Sequence, residues 1–256
     1  NFSAVLHDPV RNYQVGPKWW HQKSVASGFS FLSNVFVHAG GENAVPRHIN
    51  CVTLPYPAHS TVGSVTERQT LKEQLGIPNS AKVLLSFGFV RDNKNLDLAI
   101  RCLPDFPNLY LIVAGPNIGG GNRPISFYQE LAESLKVSGR CRWINRFVRG
   151  TELADLFKIA DLCLLTYAKS FRSGSSALGI AAHYRVPSIA SAGLSSLEEV
   201  VTKYNLGFWV EPDSERAVRD GLSRWQREKL SPLWDLYDKD NSWEKNATLL
   251  IDTLFP

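Results

Sequence analysis

The chain has 256 residues, with 44 % apolar and 20 % charged residues and a net charge of +4, the profile of one large or two modest globular domains. No apolar run approaches the ~20 residues that a membrane-spanning helix needs. No cluster of Lys and Arg is dense enough to argue for a nucleic-acid surface, so the mild basicity fits a solvated surface or small anionic ligands.

The chain opens on NFSAVLHDPV, which has neither the basic flank nor the cleavage site of a signal peptide. It has no initiator methionine, and this start suggests that upstream sequence is absent. SAVLHD (3–8), NVFVHA (34–39) and INCVTLP (49–55) read as strands, the first two ending at His7-Asp8 and His38. A strand-end histidine can bond a sugar or move a proton, or serve structure alone. The aromatic stretches GPKWW (16–20) and GFSFL (28–32) read more readily as core than as a binding face. PYPAHSTVGS (55–64), rich in Pro, Ser and Gly, reads as a domain linker.

From Lys82 onward short β-branched runs alternate with helical patterns. Strands are expected at 82–88, 109–115, 141–147, 161–167, 186–191 and 207–211. Helices are expected at 96–103, 127–137, 151–160 (with Thr151 as N-cap), 173–184, 196–204 and 214–226. A last amphipathic helix, capped near Asn241 or Ser242, closes the chain. Apolar strands alternating with helices imply a parallel sheet covered on both faces, a doubly wound α/β fold. Such sheets bind ligands outside the carboxyl ends of their strands, so the residues that follow each strand are the ones to inspect.

GFVRDNKN (88–95) follows a strand and carries Arg91 and Lys94 on a loop entering a helix. Two fixed cations there could hold a diphosphate, or could be solvated surface charges. SFRSGSSALG (170–179) places Ser173, Gly174, Ser175 and Ser176 where a strand gives way to a helix; this is an anion-binding geometry or an ordinary N-cap. It is neither a P-loop nor a G-x-G-x-x-G fingerprint. The triple glycine of IGGGNRP (118–124) reads as a surface loop rather than a site. Glu198-Glu199 stands at a helix start, where helix-dipole complementarity competes with a ligand role. The other histidines lack metal-ligand spacing, and no G-x-S-x-G elbow is present. Cys51, Cys102, Cys141 and Cys163 lie in or beside apolar stretches without C-x-x-C spacing, as reduced core thiols do. That favours the cytoplasm, where the sequons at Asn1 and Asn246 would go unused.

In order and spacing these segments resemble the GT-B fold glycosyltransferases, specifically the large retaining family numbered four. FGFVRDNKNLDLAI resembles its Gly-Arg-x-x-x-x-Lys-Gly segment, and LYLIVAGP its Leu-x-Ile-x-Gly-x-Gly strand. RWINRFVRGTELADLFKIADLCLLTY resembles its run of strand, Gly-x-Val, helix and Ala-Asp. GIAAHYRVPSIASAGLSSLEEVV resembles the segment ending in Pro-Glu-Ile-Val, and NSWEKNATLL the closing Ser-Trp-Glu helix that crosses back to the first domain. The resemblance implies a two-domain Rossmann-like architecture. Residues 1–56 and the helix 241–256 form a partial acceptor-side domain, and 65–238 form the donor-binding domain. It implies a nucleotide-diphosphate sugar as donor, no obligatory metal, and a glycan or lipid-linked acceptor. Polysaccharide biosynthesis is the setting this suggests.

On these residues Lys94 matches the family Lys. The family Arg falls at Phe89, with Arg91 as its substitute. His7 matches a strand-end His near the donor sugar, Ser173–Ser176 overlie the phosphate loop, and Glu199 matches the Glu of Pro-Glu-Ile-Val. The family's Glu-x7-Glu pair falls at Arg172 and Ile180, so both carboxylates are gone. The Gly of its Ala-x-Gly-x-Pro turn falls at Tyr184 or Arg185. The first domain lacks the family's Gly-rich loop and several units. These departures keep a second reading in view, a non-catalytic or partner-dependent nucleotide-sugar-binding subunit. A GT-B epimerase fits the Ser-Trp-Glu ending and the Leu-Glu-Glu-Val-Val segment less well. Peripheral contact with the inner membrane face and assembly with a second chain stay open.

Overall fold

The computed structural model describes residues 2–6, 16–38, 42, 45–56 and 62–255. Two parallel sheets organise them. The smaller contains β1 (Phe2–Leu6), β2 (Leu32–His38) and β3 (Asn50–Leu54), in that order. Helix α1 (Lys18–Phe29) packs on it through Val25 and Phe29, four residues apart on one helical face, against Val35 and Val37. The core reading of the tryptophans fails. Trp19 and Trp20 lie on the opposite face and are 62 % and 46 % exposed. Phe31 is exposed as well, and of these stretches only Phe29 is buried.

After α2 (Arg68–Gln74) comes the larger sheet. Its strands are β4 (Lys82–Phe87), β5 (Leu109–Ala114), β6 (Cys141–Ile144), β7 (Leu162–Thr166), β8 (Ser188–Ser191) and β9 (Gly207–Trp209). Their spatial order is β6-β5-β4-β7-β8-β9, all parallel. Helices α3 (Leu96–Cys102), α4 (Ile125–Ser134), α5 (Thr151–Ile159), α6 (Ser176–His183) and α7 (Leu197–Lys203) connect the strands, and α8 (Glu215–Arg227) follows β9. Two apolar clusters, one per sheet face, form the core. Leu84, Leu85, Leu111, Ile112 and Leu162 are fully buried, as expected for strands covered on both sides.

Several boundaries move for local reasons. Thr151 begins α5 rather than capping it. Gly150 holds the cap position at φ +62°, ψ −137°, a conformation open to glycine. Strand β6 ends at Ile144, whose carbonyl accepts from Gly115 N at 2.9 Å, while Asn145 Oδ1 turns to accept from Asn117 N at 2.8 Å. Helix α6 starts at Ser176 because Ser175 caps it, accepting from Leu178 N at 3.3 Å. The left-handed turn after α6 falls on Arg185, at φ +58°. The turn is closed by backbone bonds from Val186 N to Ala181 O (2.8 Å) and Arg185 N to Ala182 O (2.9 Å), and the Arg185 side chain pairs with Asp235 (3.0 Å) and Asp238 (2.8 Å), both on a short helix α9 (Trp234–Asp240) absent from the sequence reading.

The closing helix α10 (Trp243–Leu254) is capped by Ser242, which accepts from Lys245 N at 3.1 Å. It packs against β3 of the small sheet, and Asn246 Nδ2 donates to Pro55 O at 3.2 Å. Asn246 is 5 % exposed, so its sequon has no room for a glycan in the folded chain. Cys102, Cys141 and Cys163 are buried free thiols, and burial holds Cys163 up at about 12.

Candidate functional site

Strand β4 is the first of its sheet, and the chain runs outward from it in both directions. The order of the six strands is therefore 3-2-1-4-5-6, which puts the topological switch point between β4 and β7. Ligand-binding crevices of open α/β sheets form there because the loops following the two strands diverge to opposite faces. In this chain those loops are 88–95 and 167–175, which contain both cation- and serine-bearing segments.

The first loop is fixed from several sides. Gly88 takes φ +90° and donates from its N–H to Ala114 O at 2.9 Å. Gly115 takes φ +148°, and a Cβ there would stand 2.2 Å from Gly88 O. The backbone carbonyls of Asn93 and Lys94 accept from Ala168 N (2.7 Å) and Thr166 Oγ1 (2.9 Å), which ties this loop to the end of β7. Asn95, left-handed at φ +50°, donates to Asp213 Oδ1 at 2.8 Å, and the other oxygen of Asp213 accepts from Lys169 N at 2.9 Å.

Within this frame Lys94 is part-buried and donates from Nζ to Phe87 O. Burial brings its ammonium down to about 8, with Cys163 opposing the shift and the like charge of Arg91 adding to it. Arg91 is exposed, and its guanidinium lies over the Phe89 ring at 5.2 Å. The glycine loop is tied to the same place. Asp92 accepts from Arg123 N, Arg123 Nε and Tyr128 Oη, each at 3.0 Å, while the fork of Arg123 also reaches both oxygens of Asp97. Burial pushes the Asp92 carboxyl up, but these hydrogen bonds outweigh it and hold the group below its usual range.

The second loop leads into α6. Ser175 Oγ is shared between the α6 cap and Tyr167 Oη, 3.0 Å away, and Tyr167 is stacked on Phe171 at 4.0 Å. Burial holds the Tyr167 phenol up at about 12, so it stays neutral. The Ser175 hydroxyl thus shapes the loop and aims the α6 N-terminus. Gly174 meets the small sheet: a Cβ on it would stand 2.8 Å from the Tyr56 ring. Tyr56 in turn lies 4.3 Å from the ring of His38, whose Nδ1 is 3.2 Å from Leu54 O. A cavity of about 90 Å³ lies here, lined in part by His38, Tyr56, Gly174, Ser175, Ser196 and Asn241.

Of the expected site residues, Arg91, Lys94, Ser173, Gly174 and Ser175 stand on the two loops at the switch point. Glu199 is exposed in the first turn of α7 beside Glu198, where both complement the helix N-terminus. Arg172 is exposed and Ile180, on α6, packs into the core on one face of the larger sheet. His7 lies outside the described residues. The sequence reading passed over Asp92, Arg123, Asp213 and Tyr56. A signal existed for Asp92, between the two cations, but its partner Arg123 is brought in by chain reversal alone. Among the described residues, no group of His, Cys, Asp and Glu is arranged to hold a metal ion.

Known proteins share both the pattern and the fold. Residues 67–249 match the family described as Glycosyl transferases group 1. A segment of 106 residues is 30 % identical to D-inositol 3-phosphate glycosyltransferase of Mycobacterium tuberculosis strain H37Rv, spanning 41 % of this chain and 22 % of that protein. Among solved structures, Anabaena HepE in complex with UDP-glucose superposes with a TM-score of 0.78 at 15 % identity, over 98 % of this chain and 71 % of that one. Sucrose-phosphate synthase from Thermosynechococcus elongatus superposes with a TM-score of 0.73 at 17 % identity, over 98 % of this chain and 66 % of that one. With its parallel sheets and Rossmann-like strand order, the chain has the GT-B architecture and belongs to the glycosyl transferases group 1 family.

Proposed function

We propose that this chain transfers a sugar from a nucleoside-diphosphate sugar to a glycan or lipid-linked acceptor. The reading rests on Lys94, a part-buried cation fixed at the switch-point crevice beside the loop that opens α6. In such a transfer the bond from the sugar C1 to the β-phosphate oxygen breaks, the acceptor hydroxyl oxygen bonds to C1, and the hydroxyl proton passes to the departing phosphate oxygen or to water. The departing nucleoside diphosphate gains negative charge. Lys94 and Arg91 meet that charge, and the backbone of Ser173–Ser175 and the start of α6 add oriented N–H groups. This charge stabilisation needs no metal. The assignment of His7 to the donor sugar and of Glu199 to donor binding rests on the family resemblance, as does retention at C1.

Residues 65–238 form the donor side in this reading, and residues 1–56 with α10 form the acceptor side. The packing of α10 on β3 and the Asn246–Pro55 bond support that grouping. The fold likeness to HepE, solved with UDP and with UDP-glucose, makes uridine donors the first to try.

A thermal-shift screen of UDP, GDP, ADP, TDP and their common sugar conjugates tests the proposal. One nucleotide series should stabilise the chain, by roughly 2.7 kcal/mol at a hundredfold excess over Kd. A flat response to all of them would leave the chain without a donor site and the proposal without support.

A further inference from the structure

Arg91 is exposed, and no acidic side chain among the described residues pairs with it. A long exposed side chain of this kind ordinarily samples many rotamers, and ordering it costs free energy on binding. Here its guanidinium sits over the Phe89 ring at 5.2 Å. Phe89 in turn meets Phe147 edge to face, at 5.3 Å and 81°. Phe147 is 69 % exposed.

The sheet topology explains how the two rings meet. Phe89 follows β4 and Phe147 follows β6, so they lean together over the end of β5, which lies between them. There the three strand ends are stitched by Gly88 N to Ala114 O, Gly115 N to Ile144 O and Asn117 N to Asn145 Oδ1. The shelf therefore stands on a rigid base. An edge-to-face contact fixes the plane of Phe89, and the electron-rich face of Phe89 attracts the cation.

We infer that Phe89 and Phe147 are positioning residues: an aromatic shelf that holds the Arg91 guanidinium on the loop that also carries Lys94, on its β5 side, ready for the donor diphosphate. This rests on the reading of Arg91 as a diphosphate cation. The rings act through Arg91 and not by contact with the nucleotide.

The test is calorimetric titration of the full chain with the best-binding diphosphate among UDP, GDP, ADP and TDP, and with the matching uncharged nucleoside. Phe147→Ala removes an exposed ring, so the fold should survive. It should weaken diphosphate binding by up to about two- to fivefold, the worth of the exposed cation–π contact of Phe89 that it orients, and leave nucleoside binding unchanged. Phe89→Leu, which keeps bulk but loses the π face, should lose at least as much, and Phe89→Tyr should restore binding. In an Arg91→Ala background Phe147→Ala should cost nothing further, since the cation it serves is gone. Relaxation of the Arg91 Nε–H should report greater mobility in Phe147→Ala than in the parent chain.

A loss of nucleoside affinity, or an undiminished effect in the Arg91→Ala background, would show that the rings touch the ligand and overturn the inference. Should Arg91→Ala leave diphosphate binding intact, the role of Arg91 fails and the shelf with it. If the parent chain binds none of the four diphosphates, the proposed function itself fails.

Discussion

Lys94→Ala is expected to weaken nucleoside-diphosphate binding by about tenfold to a hundredfold, the roughly 1.5–3 kcal/mol of a hydrogen bond to a charged group. Its fold should persist. Burying the ammonium works against folding and its bond to Phe87 O works for it, so the two losses offset. The pH dependence is the sharper signature. The lysine titrates at about 8 in the free chain because it is buried, and a bound diphosphate needs the protonated form. Affinity should hold below pH 8 and fall by up to about tenfold per unit above it, with protons taken up on binding. Lys94→Arg should bind with a flat profile from pH 7 to about 9.5, because guanidinium stays charged throughout. The stability sign is opposite. With the folded value lowered from 10.5 to about 8, the unfolded chain binds the extra proton between them, so this group's contribution to stability rises with pH across that window. Isothermal titration at stepped pH checks the affinities, and a pH-independent affinity in the parent chain would remove Lys94 from the site.

Gly115→Ala should be strongly damaging at the donor crevice, because it combines a close backbone approach with a positive φ. Gly115 combines φ +148° with a Cβ position 2.2 Å from Gly88 O and 2.6 Å from Gly88 C, both backbone atoms that cannot swing aside. The ends of β4 and β5 would have to part, at a cost of about 3 kcal/mol or more, which lowers Tm by roughly 6–12 °C in a chain of this size. The same movement displaces the loop that carries Lys94, so nucleotide binding should weaken with stability. Gly120→Ala is the control. It also has positive φ, +63°, but meets nothing within 4 Å, so only the backbone preference of about 1–2 kcal/mol is lost. Differential scanning calorimetry of the two variants separates steric contact from backbone strain. Equal losses would mean that the close approach of the two strands is not what demands glycine.

The parts legible in the sequence were those with local causes. Strands β4, β5 and β7 announced themselves because both faces are buried, which leaves unbroken apolar runs such as KVLLSF and LYLIVA. The cations stood out because Arg91 and Lys94 follow a strand directly, where the architecture places its ligands. Helix α1 was missed because its two tryptophans sit outside and only Val25 and Phe29 mark its inner face. The left-handed position after α6 could not be assigned between Tyr184 and Arg185, because neither is glycine and the backbone bonds that settle it, Val186 N to Ala181 O and Arg185 N to Ala182 O, depend on where the helix ends. The Asp92–Arg123 clamp, the Tyr56–Gly174 contact and the Phe89–Phe147 shelf each join segments separated by other elements of the fold. Such pairings depend on topology and leave no local pattern.

The most direct test of the site is an amide chemical-shift map of the chain, with and without a saturating amount of the nucleoside diphosphate that stabilises it most. The largest changes should cluster at Arg91–Asn95 and Ser173–Leu178, on either side of the β4/β7 switch point. Changes confined to the groove between β1 and α1, lined by Phe2, Val25 and Phe31, would contradict it and move the nucleotide to the smaller sheet.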